Sequence, residues 1–314
     1  MVLTRISGLM LKTILIVTIM AANLVQVEQA YHDELSYQVV DRGTVSSALA
    51  ASWAAASLSG RRYITLQPSS NEPVYLRFIE DTSATTFESM KTEGWNAVEI
   101  LVQDPDALAQ ILSRSPYFKI VGPPRFLTEK KNIKAMQAIG PANELIYFTN
   151  ISDPEKSGFG LQPARSFIDR VFIMVVGARE HAALNEFYRT TLGLQVTPPM
   201  LYRIGVLSEA YNMPAETRHE ISIAQISERF LIELDRYPDG ASARDAAPGS
   251  LPPGIAMVTF EVNQLQPDLP YLTAPGKRAA FPYQGRCAGV LVGAAGEYIE
   301  LVGHGEICGL SGIM

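Results

Sequence analysis

The sequence is poor in the residues that mark several large classes of protein. It has only two cysteines in 314 residues, too few for a disulfide framework or a structural zinc site. Lys and Arg form no cluster and the net charge is −6, so no nucleic-acid partner is expected. There is no phosphate-cradling glycine loop, Ser–His–Asp order or nucleophile elbow. The simplest expectation from these absences is a reduced, cytoplasmic protein.

Long apolar runs are also scarce, and the one candidate lies near the N-terminus. Residues 14–25 are apolar and follow Arg5 and Lys12, a pattern that imitates a secretory signal peptide. Export therefore stands as the alternative to a cytoplasmic location. The run is short for a transmembrane helix, and no membrane association is expected.

What the sequence does contain is an internal repeat. The segments beginning at Tyr31 (YHDELSYQVV) and at Tyr188 (YRTTLGLQV) match without a gap, at an offset of about 157 positions. Upstream of both, an apolar strand pattern precedes a helix pattern, at residues 14–31 and 171–188. A signal peptide cannot lie at the second position, so we expect residues 14–19 to form an inner strand of the folded protein.

The same unit can be read four times as a βαβββ module, which is a strand and a helix followed by three strands. The modules start near residues 11, 97, 170 and 256 and end near residues 80, 149, 234 and 302. The fourth helix pattern is degraded, because Pro267 and Pro270 fit a helix interior badly. Linker-like segments at 150–166 and 238–253 favour two domains, 1–150 and 151–314, each a pair of modules.

The phrase DRVFIMVVGAREHAALNEFYRTTLGLQV at 169–196 and the strand AAGEYIELVG at 294–303 resemble the vicinal oxygen chelate superfamily. That superfamily includes glyoxalases, bleomycin-resistance proteins and extradiol dioxygenases. The resemblance implies an α+β fold, in which βαβββ modules pair into two curved, half-open mixed sheets with the helices outside. Each pair half-encloses a cavity. Tandem pairing, of module 1 with module 2 and of module 3 with module 4, is the simplest arrangement.

The resemblance also implies where a divalent metal would be held, early in the first strand and late in the last strand of each module. The residues at these eight positions are Thr13, Ala97, Arg170, Met257, Arg77, Tyr147, Glu233 and Glu300. Only the two glutamates suit a divalent cation, and no histidine accompanies them. We therefore expect no metal at the usual position, with Glu233 and Glu300 as candidate ligands if one is bound. No other cofactor is expected.

Strand alternation places a candidate active site in modules 3 and 4. Arg170 and Glu233 should be neighbours on adjacent strands, and Glu300 should face the same cavity. These are the expected catalytic residues, with Glu300 as the base and Arg170 as the group that stabilises developing negative charge. A purely structural Arg170–Glu233 pair stays open as an alternative. The expected substrate-binding residues are Phe172, Met174, Glu220, Ser222, Met257, Thr259, Tyr298 and His304.

These residues favour a glyoxalase-superfamily enzyme, of isomerase or lyase type, that acts on a small carbonyl-bearing or aromatic metabolite. A metal-free binding protein of the bleomycin-resistance type is the alternative, since it needs only a shaped cavity. A ring-cleaving dioxygenase comes third, because the triad of two histidines and one carboxylate is missing at the expected positions. Modules 1 and 2 are expected to be a scaffold. The expected partner is a small molecule, and a homodimer is open.

Overall fold

The computed structural model describes residues 11–82, 87–153, 155–305 and 308. Its strands are β1 (Leu11–Ala21), β2 (Gln38–Thr44), β3 (Arg62–Gln67), β4 (Tyr75–Glu80), β5 (Gly94–Val102), β6 (Lys119–Phe126), β7 (Ile133–Ile139), β8 (Leu145–Ile151), β9 (Ile168–Ala178), β10 (Gln195–Val196), β11 (Met200–Arg203), β12 (Arg218–Ser227), β13 (Phe230–Arg236), β14 (Ile255–Val262), β15 (Gly276–Lys277), β16 (Cys287–Val292) and β17 (Tyr298–Gly303). The α-helices are α1 (Leu24–Leu35), α2 (Ser47–Ser52), α3 (Pro105–Leu112), α4 (His181–Thr190) and α5 (Gly205–Ala210), with 3₁₀ turns at Ala56–Leu58 and Glu155–Ser157.

Capping side chains fix where the module helices begin. Asn23 before α1 and Asp104 before α3 each accept hydrogen bonds from two backbone N–H groups of the first turn. Module 4 has no such helix, since the described residues 263–275 form only turns and irregular chain. Pro267 and Pro270 lie in that segment, which confirms that the fourth helix pattern is degraded.

The strands form two mixed sheets. Sheet 1 has eight strands in the order β2-β3-β4-β1-β14-β17-β16-β15. Sheet 2 has nine, with the path β6-β7-β8-β5-β9-β13-β12-β10 and with β11 beside β12. At each centre the first strands of two modules pair antiparallel, β1 with β14 and β5 with β9, and each pairs in parallel with the last strand of its own module. The predicted α+β fold of four modules in two paired, mixed sheets is confirmed.

The expected tandem pairing of modules, however, is incorrect. Sheet 1 joins module 1 to module 4, and sheet 2 joins module 2 to module 3. A division into 1–150 and 151–314 therefore separates the partners within each sheet. The first strands of two modules pair through main-chain hydrogen bonds, which any strand can form. The side-chain pattern therefore does not show which modules pair.

The apolar run near the N-terminus is an inner strand, as predicted. β1 pairs with β14 on one side and with β4 on the other, and it is almost wholly buried. A chain that began near Tyr31 would lack the centre of sheet 1. None of the helices in the described ranges reaches the length and apolar character that a membrane crossing requires.

The helix-facing sides of both sheets share one hydrophobic core, in which the internal repeat reappears as a matched pair of hydrogen bonds. The hydroxyl of Tyr31 on α1 donates to Oε1 of Glu144 at 2.7 Å, and that of Tyr188 on α4 donates to Oε1 of Glu297 at 3.0 Å. Each glutamate also accepts the backbone N–H two residues before it. Consecutive modules are thus joined across the core, whereas strand pairing joins modules 1 with 4 and 2 with 3.

Cys287 and Cys308 form a disulfide bond, with their Cα atoms 5.0 Å apart. The expectation of two reduced cysteines is therefore incorrect. Disulfide bonds persist mainly in oxidising compartments, so the cysteine content no longer argues for a cytoplasmic location. A separation of 21 residues does not by itself show that the two side chains meet in space.

Candidate functional site

The three predicted catalytic residues do not lie together. Glu300 is on β17 in sheet 1, whereas Glu233 is on β13 in sheet 2. Arg170 is near the start of β9, and the β9–β13 register places Val175 beside Glu233 instead. The predicted Arg170–Glu233 pair is therefore incorrect, because the two residues lie at different levels of neighbouring parallel strands.

Arg170 belongs to a separate charge cluster that joins modules 1 and 3. Arg165 and Arg229 both form ion pairs with Glu72, and the guanidinium of Arg170 lies 5.6 Å from the ring centroid of Phe230. Burial, and then the charge of Arg229, lower the pKa of Arg170. The cluster lies outside both of the chambers described next.

Chamber 1 is the face of sheet 1 opposite α1, and it contains Glu300 in a closed network. Glu300 accepts hydrogen bonds from Nε1 of Trp53 at 3.0 Å, from the hydroxyl of Thr259 at 2.8 Å and from that of Tyr283 at 2.7 Å. Arg77 donates to the Tyr283 hydroxyl at 3.1 Å and lies 5.3 Å from both aromatic ring centroids. All five side chains are buried, so chamber 1 gives Glu300 no contact with solvent.

The residues predicted to line the cavity in module 4 do face chamber 1. Met257 and Tyr298 are register partners there, as are Thr259 and Glu300. Met257 and Tyr298 pack into a hydrophobic cluster that fills the chamber, rather than around an open cavity. His304 lies outside, 47% exposed, with Nε2 3.7 Å from a carboxylate oxygen of Glu261.

The four substrate-binding residues predicted in module 3 face the helices instead. Phe172 and Met174 belong to the shared core, and Asn185 of α4 donates to Oγ of Ser222 at 3.1 Å. Glu220 lies two residues before Ser222 on β12 and so shares its face. These face assignments are incorrect because β9 is buried along its whole length, so its residues show no alternation that tells the two faces apart.

Chamber 2 is the face of sheet 2 opposite α3 and α4, and among the described residues it contains three acidic side chains, Glu99 on β5 with Glu233 and Asp235 on β13. Glu99 is 5% exposed and Asp235 is fully buried, whereas Glu233 keeps partial exposure. Among the described residues, no lysine or arginine lowers the pKa of any of the three. Burial of carboxyl groups without a cation is costly, so these residues do not serve stability.

Burial is the main cause that raises the pKa of each of these acids. The pKa of Glu99 rises to about 8, with the charge of Glu233 as the second cause, and that of Glu233 rises to about 7. The pKa of Asp235 lies well above its ordinary value. Neither oxygen of Asp235 accepts an N–H or O–H group from a described residue, and after burial the charge of Glu233 raises the pKa of Asp235 further. Near neutral pH the chamber therefore holds protonated and ionised carboxyl groups side by side.

Tyr202 lies between these acids and the outside. Its hydroxyl donates to the carbonyl oxygen of Leu127 at 2.6 Å, which connects β11 to the β6–β7 hairpin. Burial, and then the charges of Glu233 and Glu99, raise the pKa of Tyr202 to about 12, and Arg125 opposes them. Tyr202 is thus close to the acids on one side and to a cation on the other.

A groove runs between α5, which covers chamber 2, and the β6–β7 hairpin. Its largest part has a volume of about 710 Å³ and is lined by Arg125, Gln137, Arg203 and Glu209, among others. Parts of about 390 Å³ and 380 Å³ adjoin it and share lining residues with it. Gln137 lies in the same row across the sheet as Glu99, so the floor of the groove continues into chamber 2. These volumes suit a small molecule.

The side chains of chamber 2 do not fit a divalent metal. Within the described ranges, no three Asp, Glu, His or Cys side chains are close enough to share an ion. Of the four ligand positions that the resemblance implies in sheet 2, namely Ala97, Tyr147, Arg170 and Glu233, only the last is a carboxylate. Glu233 and Glu300, the candidate ligands, belong to different sheets.

Asp235, Tyr202 and Arg125 are not among the residues predicted from the sequence. For Asp235 a signal was present, since it follows Glu233 by two positions in FLIELDR and so lies on the same face of β13. Glu99 lies in module 2, which the expected tandem pairing keeps apart from Glu233 in module 3. Nothing in the local sequence marks Tyr202 or Arg125.

No protein-family model and no curated protein sequence matches the chain. Among solved structures, glyoxalase I from Zea mays is similar over 92% of each chain, with a TM-score of 0.60 and 14% sequence identity. A candidate dioxygenase from Bacillus subtilis subsp. subtilis str. 168 is similar over 94% of this chain and 86% of that chain, with a TM-score of 0.59 and 10% identity. At such identities the likeness concerns the fold and not the chemistry. The chain therefore has the vicinal oxygen chelate fold that its sequence resembles.

Proposed function

We propose that the chain is an enzyme of isomerase or lyase type, which moves a proton on a small carbonyl-bearing or aromatic molecule in chamber 2. The observation that supports this most is the group of buried Glu99 and Asp235 with half-buried Glu233, which has no cationic partner among the described residues. Two of these acids have pKa values near neutrality, and an open groove lies beside them. Perturbed acids beside a groove are typical of catalytic sites.

In this proposal Glu233 accepts the proton. It is the most exposed of the three acids, and a pKa of about 7 leaves much of it ionised at neutral pH. When a proton leaves the carbon next to a carbonyl group, negative charge develops on the carbonyl oxygen and requires a hydrogen-bond donor. Glu99, with a pKa of about 8, is mostly protonated at neutral pH and supplies that donor. On a substrate with a hydroxyl group on the carbon next to the carbonyl group, Glu99 gives its proton to the carbonyl oxygen and takes up the hydroxyl proton. Glu233 then returns its proton to the former carbonyl carbon, which completes an isomerisation.

A binding protein without turnover is the second candidate. The observation that favours it is chamber 1, where Trp53 and Tyr283 occupy the space over Glu300. Chamber 1 is filled and has no open site, so the fold does not require catalysis in either chamber, and chamber 2 can bind a ligand without turnover. A ring-cleaving dioxygenase is the weakest reading, because His219, whose ring bonds to Ser208 at 2.9 Å, is the single described histidine on the chamber 2 face.

The test is hydrogen exchange in D₂O, followed by proton NMR, with a panel of small ketones, 2-oxo acids and aryl ketones. We expect the protein to accelerate exchange of the hydrogen next to the carbonyl group, and Glu233→Gln to abolish this acceleration. Glu186→Gln, on the exposed side of α4, is the matched control and should accelerate the exchange as much as the unaltered protein does. The rate should rise with an apparent pKa near 7 and fall near 8.

Two results would count against this proposal. Exchange that persists in Glu233→Gln would reject Glu233 as the base. Saturable binding of panel members with no exchange at any pH would favour the binding protein instead. The thermal unfolding temperature of each variant, measured in parallel, separates lost chemistry from lost folding.

A further inference from the structure

Three arginines converge where two parts of the groove outside chamber 2 meet. Arg125 and Arg203 line both the part of about 710 Å³ and the part of about 380 Å³, and Arg218 lines the smaller one. Glu129 is the acidic residue that lines this smaller part. The groove therefore carries an excess of positive charge at this point, although the chain as a whole is acidic.

Two of these arginines are placed directly opposite each other. Arg203 on β11 and Arg218 on β12 are register partners in an antiparallel pair, where like charges repel. Arg203 is compensated by Glu216 at 3.1 Å and by the carbonyl oxygen of Ala215 at 2.9 Å. Arg218 forms no hydrogen bond or ion pair with another residue of the described ranges. An anion between the strands would remove this repulsion.

Arg125 is the innermost of the three. Its guanidinium lies over Gly205 at the start of α5, where an added methyl group would be 3.5 Å from Nη2. It is only partly exposed, and it has no hydrogen-bond or ion-pair partner in the part of the chain that the structure describes. Arg125 and Tyr202 line the same part of the groove, so Arg125 lies near the side chain that separates the groove from the acids.

Apolar side chains complete the walls of the groove. Phe126 and Leu201, which are 47% and 59% exposed, line the smaller part, and Met213, which is 37% exposed, lines the larger part. Exposed apolar surface beside uncompensated cations suits a ligand that has an anionic group on an apolar or aromatic body.

We propose that this arginine groove, defined by Arg125, Arg203 and Arg218, binds a carboxylate or phosphate group attached to an apolar or aromatic body. This role rests on the proposed function: the protein holds the substrate by its anionic group while the other end of the substrate reaches Glu233. The acids of chamber 2 repel an anion and Arg125 attracts it. The substrate is therefore bound in one orientation, with its anionic end outward.

The test uses benzoate and phenyl phosphate as anionic probes and benzamide as the neutral probe, with binding measured by NMR titration at low ionic strength. We expect one anionic probe to bind at least about tenfold more tightly than benzamide, and the tighter of the two identifies the anion. Arg125→Gln and Arg218→Gln should each lower the affinity for that probe by about tenfold and leave the affinity for benzamide unchanged. Arg189→Gln, on the exposed side of α4, is the control and should change neither.

Equal affinity for benzamide and both anions would overturn the proposal, as would unchanged anion binding in both groove variants. Arg218 is exposed at the start of β12, so Arg218→Gln keeps the test decisive if Arg125→Gln does not fold. Glu233→Gln should still bind the anionic probe. Anion binding by a protein that shows no hydrogen exchange would reject the proposed function and leave this inference standing.

Discussion

Replacement of Glu99 by glutamine should stabilise the protein at alkaline pH and leave its stability nearly unchanged at acidic pH. Folding raises the pKa of Glu99 from 4.5 to about 8, so the folded protein keeps a proton that the unfolded chain releases. The contribution of protonated Glu99 to the free energy of unfolding is therefore complete below about pH 4.5 and is lost as the pH rises to about 8. Glutamine does not ionise, and its side-chain oxygen can still accept the hydroxyl of Thr149, which lies 2.9 Å from Glu99.

The expected size of the effect follows from the two pKa values. At about 1.4 kcal/mol for each pKa step, the penalty for Glu99 is about 5 kcal/mol above pH 8 and about 1 kcal/mol at pH 5. Glu233 and Asp235 share this penalty, because the charge on one of these acids raises the pKa of another. We therefore expect Glu99→Gln to gain about 2 to 4 kcal/mol, relative to the unaltered protein, between pH 5 and pH 9.

The assay is urea unfolding at pH 5, 7 and 9, followed by the fluorescence of the two buried tryptophans. Glu144→Gln is the matched control, since burial also raises the pKa of Glu144, to about 7. Both oxygens of Glu144 accept hydrogen bonds, from Tyr31 and from the backbone, so glutamine loses an acceptor and should destabilise the protein even at pH 5. If Glu99→Gln raised the free energy of unfolding equally at pH 5 and at pH 9, the reasoning would be refuted.

Three further results are expected. Glu300→Gln should destabilise the protein by about 3 kcal/mol in urea unfolding, because Arg77 stays buried without a counter-charge; an unchanged midpoint would contradict this. Tyr31→Phe and Tyr188→Phe should each cost about 1 to 2 kcal/mol in the same assay, and very unequal costs would show that the two hydrogen bonds are not equivalent. Cys308→Ser should lower stability by about 3 kcal/mol, and peptide mapping without reductant should find the cross-link; free thiols in the native protein would contradict it.

The modules could be predicted from the sequence because each copy meets the same physical requirement. Tyr31 and Tyr188 occupy equivalent positions, and each is buried with a glutamate as its hydrogen-bond acceptor. Replacement of either would leave a buried carboxyl group without its donor. Requirements of this kind keep residues alike in both copies, and a fixed offset then reveals the repeat.

The pairing of the modules and the site could not be predicted in the same way. β1 and β9 are apolar along most of their length, since helices cover one face and a chamber the other. The sequence of such an apolar strand indicates neither the strand with which it pairs nor the side of the sheet that each residue faces. The group of Glu99 with Glu233 arises only because module 2 meets module 3, and that contact brings together residues distant in sequence.

The two chambers share a fold and differ in how their charges are compensated. Chamber 1 has Arg77 and Glu300 on its two last strands, and Tyr283 bridges them into a neutral network that Trp53 closes. In chamber 2 Tyr147 on β8 takes the place of the arginine, and Glu233 on β13 takes the place of Glu300. Among the described residues, no lysine or arginine therefore lowers the pKa of its acids. The cation instead lies outside, in the arginine groove. A compensated pair stabilises the fold, whereas acids separated from their cation leave room for a ligand between them, and this difference makes chamber 2 the candidate site.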